Sequence, residues 1–149
     1  MGKLILILLR SICHPWIENL IKLLGVIDAV IHNCLDFIKK TEEIFDGFPC
    51  ICPFCIKPFQ NQMYEHFKTI NDATKRNIIL YNNPGRVGTS IDFSSLKKFS
   101  SQKNKFAVKE CTSDLSLPST WRTALKEDFT FLSGNDNTAA AVLSIGLSE

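Results

Sequence analysis

The chain lacks any long hydrophobic run. Its opening apolar stretch, Leu4–Leu9, spans six residues before Arg10 interrupts it. That is shorter than the ~7–15 apolar residues of a signal-peptide core, and no small-residue cleavage site follows cleanly. A transmembrane span over residues 4–31 would have to absorb Arg10, His14, Glu18, Lys22 and Asp28. The ~18 uninterrupted apolar residues that a span needs are missing. An excess of one charge is lacking too: the net charge is +2, too small to imply nucleic-acid binding by electrostatics alone. The four lysines of the Lys97–Lys105 stretch, set among serines and a glutamine, read as a solvated helix end and loop. There is no internal repeat and no low-complexity linker. At 149 residues and 45% hydrophobic content, the composition excludes a disordered or collagenous chain and fits one domain with a buried core.

Cysteine, by contrast, is plentiful: Cys13, Cys34, Cys50, Cys52, Cys55 and Cys111. Without a secretion signal, these predict reduced thiols in a cytoplasmic protein. Cys50-x-Cys52-x-x-Cys55 has two readings. Thiolates at short spacing can share a zinc ion, yet Cys50 and Cys52 fall on one face of a predicted strand, where cysteine also serves as a small apolar filler. No second Cys pair or nearby His completes a zinc-ligand spacing, so no metal is expected.

The periodicity predicts alternating strands and helices. Helices are expected over 15–25, 34–45, 62–73 (with Met63, Phe67 and Ile70 on one face), 91–100 (with Asp92 near its start), 115–126 and 136–144. Strands are expected over 48–54, 77–81, 106–109 and 129–133, and Asn82-Asn83-Pro84-Gly85 reads as a loop. The alternation calls for an α/β fold with parallel strands and right-handed crossovers. A divergent helical segment is expected over 1–33 and the α/β domain over 34–149.

Strand alternation puts Ala107 and Lys109 on one face, and likewise Ile79 and Tyr81. Lys109 and Tyr81 both close apolar strands. If the strands are neighbours, both side chains enter the end where β/α barrels place their chemistry. A lysine desolvated there becomes a nucleophile toward carbonyls, which suggests Schiff-base chemistry. The blander reading is a lysine stem reaching past the strand end into water, a tyrosine with a buried ring and a wet hydroxyl, and Arg86 as a plain surface charge.

Tyr81-Asn82-Asn83-Pro84-Gly85-Arg86-Val87-Gly88 resembles the tyrosine-loop motif of the 4-hydroxy-tetrahydrodipicolinate synthase (dihydrodipicolinate synthase) family. Val108-Lys109-Glu110 with Asp114-Leu115 resembles its Schiff-base lysine motif. Leu132-Ser133-Gly134-Asn135-Asp136 is similar to its Ser-Gly-Asp/Asn-Asp segment. Lys57-Pro58 with Gln60, and Tyr64-Glu65-His66-Phe67, match the segment after its fourth strand. The resemblance runs from about residue 41 to 146 and implies a partial (β/α)8 TIM barrel, about half of it present.

It also implies a pyruvate-dependent Schiff-base lyase of lysine and diaminopimelate biosynthesis. Lys109 would form the imine with pyruvate, Tyr81 would shuttle protons, Arg86 would hold a substrate carboxylate, and Gly134 would permit close backbone approach. The partner substrate would be aspartate 4-semialdehyde, with no metal or organic cofactor. The chain departs from the family in three respects. The Gly-Thr-Thr-Gly-Glu segment is absent, Cys55 stands where a relay tyrosine should be, and the chain stops at Glu149. These predict a truncated or decayed member, with little or no synthase activity in isolation. The alternative is an inactive remnant acting in assembly, pairing exposed strands with a copy of itself or with a full-length relative. A folded chain is expected to be a homo-oligomer, with neither nucleic acid nor membrane as partner.

Overall fold

The computed structural model describes residues 23–102, 104, 106–125 and 129–144. Its strands are β1 (Gly47–Ile51), β2 (Asn77–Asn82), β3 (Phe106–Glu110) and β4 (Thr130–Ser133). They form one sheet in the order β1-β2-β3-β4, with every pair parallel. Between and around them lie α1 (Ile31–Thr41), α2 (Gln60–Asp72), α3 (Pro84–Val87), α4 (Phe93–Ser100), α5 (Ser116–Ala124) and α6 (Ala139–Ser144). Parallel neighbours require a crossover, and helices fill each one. The result is the expected α/β architecture, a partial barrel.

The sheet is two-sided. Phe48, Cys50, Ile78, Leu80 and Val108 are fully buried in the core that also holds Met63, Phe67 and Ile70 of α2 and Leu96 and Phe99 of α4. Aromatic contacts knit this layer: Tyr64 stacks on Phe99 at 4.9 Å, and Phe67 meets Phe99 edge-on at 5.6 Å. The alternate residues Tyr81, Ala107 and Lys109 are only half-buried and share the other face.

Helix boundaries follow local chemistry. The Asp92 carboxylate caps α4 by accepting from the Ser95 amide at 2.7 Å. The Gln62 side chain reaches back to accept from the Phe59 amide at 3.0 Å, starting α2 two residues earlier than the periodicity predicts. Helix α1 begins and ends earlier than expected, with Glu42 as its C-cap. There the Glu42 carbonyl accepts from Arg76 Nε at 2.8 Å and its carboxylate accepts from the Thr74 hydroxyl at 2.8 Å. Residues 136–138, expected in the last helix, form a turn ahead of α6, where the Asn135 side chain accepts from the Asn137 amide at 3.2 Å.

Two expectations are corrected. The helix predicted over 15–25 lies outside the described residues up to 22, but at 23–25 the backbone is extended. Leu23 and Val26 bridge β1 in parallel at Gly47 and Cys50. The Leu24 and Val26 amides donate to the Gly47 and Pro49 carbonyls, and both side chains are buried. The open edge of β1 supplies carbonyls that helical periodicity alone cannot reveal. Likewise, Asn82-Asn83-Pro84-Gly85 is not simply a loop. Asn82 completes β2, and Pro84 opens a single helical turn, α3, which Gly88 closes at φ +75°. Proline's fixed φ suits the first helical position and glycine the left-handed cap.

His66 on α2 carries a burial cost. Its Nε2 is buried with no hydrogen-bond partner among the described residues, and desolvation pushes its pKa down to about 4. The folded state therefore favours neutral imidazole. Its contribution is fully present above the unfolded pKa near ~6.5 and is lost as pH falls toward 4. Urea unfolding of the chain and of His66→Phe at pH 7 and pH 4.5 should show a smaller pH-dependent loss for the variant. The difference should be on the order of 2 kcal/mol after allowance for the ring's partial exposure.

Candidate active site

The parallel register pairs Tyr81 directly with Lys109, with Ile51 on the outer side of Tyr81 and Leu132 beyond Lys109. This row crosses the sheet near the C-terminal strand ends, and Pro49, Ile79, Ala107 and Thr130 form the row beneath it. The Lys109 ammonium lies 5.0 Å from the centroid of the Tyr81 ring, within cation–π range. Asn83 Nδ2 donates to the Tyr81 hydroxyl at 3.1 Å. The sequence expectation that these two side chains share one end of a barrel is thus met in position. Arg86 sits exposed on α3, in the turn that follows Tyr81.

Gly134 lies against the lysine stem. A Cβ there would overlap Cys111 Sγ, approach Lys109 Cε to 2.9 Å and meet the Glu110 carbonyl at 3.1 Å. Its amide donates to that carbonyl at 2.7 Å, so the backbone after β4 is drawn in over the end of β3. Any larger residue would push this segment off the lysine.

On the opposite face, the same strand ends carry a polar pair that sequence reasoning left without a role. Asn82 and Glu110 are register partners, 0% and 6% exposed. Asn82 Nδ2 donates to Glu110 Oε2 at 2.6 Å and to the Ser90 hydroxyl at 3.1 Å, while Asn82 Oδ1 accepts from the Ile91 amide at 3.1 Å. Glu110 Oε1 accepts from the Thr112 amide at 2.9 Å. Burial pushes the Glu110 pKa up, and the donors from Asn82, Thr112 and Cys111 pull it back. Gln60 adds a second tie to the same loop: its amide donates to the Ser90 carbonyl at 2.7 Å and accepts from the Asp92 amide at 3.0 Å. The signal was available in the alternation, since Asn82 follows Leu80 and Glu110 follows Val108 on the helix-facing side.

The cysteines divide. Cys50 and Cys52 are fully buried; desolvation raises the Cys50 thiol well above its ordinary value and takes Cys52 to about 12. Cys52 Sγ lies 3.8 Å from Met63 Sδ and 3.7 Å from the Tyr81 carbonyl. They act as apolar filler beneath the site. Cys55 is exposed, at φ +72°, and among the described residues no group of three His, Cys, Asp or Glu could hold a metal ion. Cys111, which motif reading passed over, lies beside the lysine. Its thiol donates to the Gly134 carbonyl at 3.4 Å.

A parallel β/α sheet with a lysine and a tyrosine at adjacent C-terminal strand ends has the layout of the face on which β/α barrels carry their functional side chains. The family model described as dihydrodipicolinate synthetase matches residues 21–149, and the chain belongs to that family. The chain is 30% identical over 139 residues to a 4-hydroxy-tetrahydrodipicolinate synthase from Bdellovibrio bacteriovorus, covering 93% of this chain and 46% of that protein. It is 34% identical over 110 residues to the synthase from Desulforamulus reducens, covering 72% and 37%. Among solved structures, dihydrodipicolinate synthase from Aquifex aeolicus superposes with a TM-score of 0.77 at 30% identity, covering 83% of this chain and 42% of that one. The Bacillus anthracis enzyme gives a TM-score of 0.80 at 29% identity, covering 84% and 43%. The chain spans under half the length of these relatives. Among the described residues no helix is long and apolar enough to cross a membrane.

Glu110→Ala would strand the buried donors of Asn82 and Thr112. Its urea-unfolding midpoint should correspond to a loss of about 2 kcal/mol, whereas an exposed control such as Glu65→Ala should change stability by less than about 0.5 kcal/mol.

Proposed function

We propose that the chain retains, at Lys109, the Schiff-base chemistry of a 4-hydroxy-tetrahydrodipicolinate synthase of lysine and diaminopimelate biosynthesis in the cytoplasm, with little or no complete synthase turnover by the isolated chain. Lys109 attacks the ketone of pyruvate, forming a carbinolamine that loses water to give the iminium. The iminium withdraws electrons, so a methyl proton leaves and an enamine forms. The enamine attacks the aldehyde of aspartate 4-semialdehyde. Tyr81 moves protons at the reacting oxygen, Arg86 pairs with a substrate carboxylate, and Gly134 gives the keto acid room beside the amine. No cofactor enters this scheme.

The observation that carries the reading is the register pair itself: the lysine ammonium lies 5.0 Å from the tyrosine ring centroid, with a glycine against the lysine stem. A second reading, a homo-oligomer without turnover, draws support from the loop after β1. Ile56 and Phe59 there are 68% and 76% exposed, and Cys55 and Lys57 hold positive φ.

Incubation with pyruvate and borohydride should yield a pyruvate-sized mass increase that maps to Lys109 and disappears in Lys109→Ala. A folded sample with no adduct would overturn the Schiff-base reading. Sedimentation of that sample would then decide for or against assembly.

A further inference from the structure

Residues 83–91 leave β2 at Asn82 and return to the side chain of the same residue. The Asn82 amide nitrogen donates to the Ser90 hydroxyl at 3.1 Å, and its oxygen accepts from the Ile91 amide at 3.1 Å. Asn82 therefore closes the base of this loop. The loop carries two groups of the candidate site: Asn83, whose amide donates to the Tyr81 hydroxyl at 3.1 Å, and Arg86 on α3. A Cβ on Gly88 would meet Lys57 Cε at 3.0 Å, so the loop also rests on the segment after β1.

Glu110 joins the closed loop to the strand of the lysine. Its Oε2 accepts from the Asn82 amide nitrogen at 2.6 Å, and its Oε1 accepts from the Thr112 amide at 2.9 Å. The Asn82 oxygen can serve Ile91 only while its nitrogen faces an acceptor. The Ser90 hydroxyl can turn to donate or accept, so it would tolerate either face of the amide. An ionised carboxylate only accepts, so Glu110 fixes which way Asn82 points. The two residues stand one position beyond Lys109 and Tyr81 in their strands, and they are register partners.

We propose that Glu110 is a positioning residue for imine formation at Lys109, acting through Asn82 on the loop that holds the Tyr81 hydroxyl. This rests on the Schiff-base reading of Lys109. Glu110 lies on the helix-facing side of the sheet and acts on orientation alone. When water leaves the carbinolamine, the Tyr81 hydroxyl must already be aimed at the departing oxygen. The Asn83 amide aims it, and Asn83 is only as well placed as the base of its loop. With Asn82 reversed, the Ile91 amide loses its acceptor, the loop base opens, and the phenol loses its fixed donor.

The test reads the rate of imine formation in folded protein. Each variant is first shown to be folded by circular dichroism. Pyruvate is added, samples are quenched with borohydride at intervals, and intact mass reports the Lys109 adduct. Glu110→Gln keeps the side-chain size but sets a second amide against the Asn82 donor, and its adduct should form about tenfold more slowly. Combining it with Asn82→Asp exchanges donor and acceptor between the two positions. The carboxylate at 82 then accepts from the amide at 110 and from Ile91, and the amide oxygen at 110 accepts from Thr112. This double variant should return to within about threefold of the wild-type rate. In a Tyr81→Phe background, Glu110→Gln should slow the adduct by less than about twofold further, because the hydroxyl it positions is gone.

A folded Glu110→Gln chain that traps pyruvate at the wild-type rate overturns the proposal and leaves the Schiff-base reading standing. Equal slowing with and without the Tyr81 hydroxyl overturns it too, as does a folded double variant as slow as the single. If Glu110→Gln does not fold, Ser90→Ala takes its place, since it weakens the same loop base. Slowing that depends on the Tyr81 hydroxyl then supports the proposal, and a wild-type rate overturns it. A wild-type chain that forms no adduct removes the Schiff-base reading and this proposal together.

Discussion

The parallel register between β2 and β3 is the constraint on which the rest depends. Tyr81 pairs with Lys109 and Asn82 with Glu110, so two consecutive register positions divide the strand ends between two environments. The half-buried face receives the phenol and the amine. The helix-facing side receives an amide and a carboxylate that satisfy each other. Because each strand alternates, neither pair can be moved without moving the other.

Much of this was legible from the residues. Apolar alternation identified four strands, and the interposed helices required them to be parallel. The face of α2 followed from Met63, Phe67 and Ile70, all of which are buried. The shared face of Tyr81 and Lys109 followed from a period of two. What stayed hidden depended on partners distant in sequence. Leu23 and Leu24 read as the end of a helix until the edge of β1 is set beside them. Asn82 looked like turn chemistry, because the carboxylate that accepts its hydrogen bond lies 28 residues further on. Gln60 gave no hint that its amide would clasp residues 90 and 92.

The polar ties share a logic. Where β2 leads into α3 and α4, the chain makes short turns whose amides would be costly to bury unpaired. Asn82 satisfies the Ile91 amide and Gln60 satisfies that of Asp92, so the segment after Tyr81 is held at both of its neighbours. The apolar thiols of Cys50 and Cys52 fill the space beneath without adding further polar demands. The strand ends are therefore rigid from below and polar above, a suitable base for side chains that must keep fixed distances.

The strict alternation at these strand ends also acts as a check on assembly. Were β3 to join the sheet one residue out of step, Lys109 would turn under the helices and Val108 into the open. The Glu110 carboxylate would leave Asn82 at the same moment. An ammonium without a counter-charge in the apolar layer, together with an orphaned amide, is a heavy penalty for a mispaired strand. The lysine and the carboxylate at these strand ends thus mark the wrong pairing as unfavourable, and the sheet's own polar groups proofread its folding.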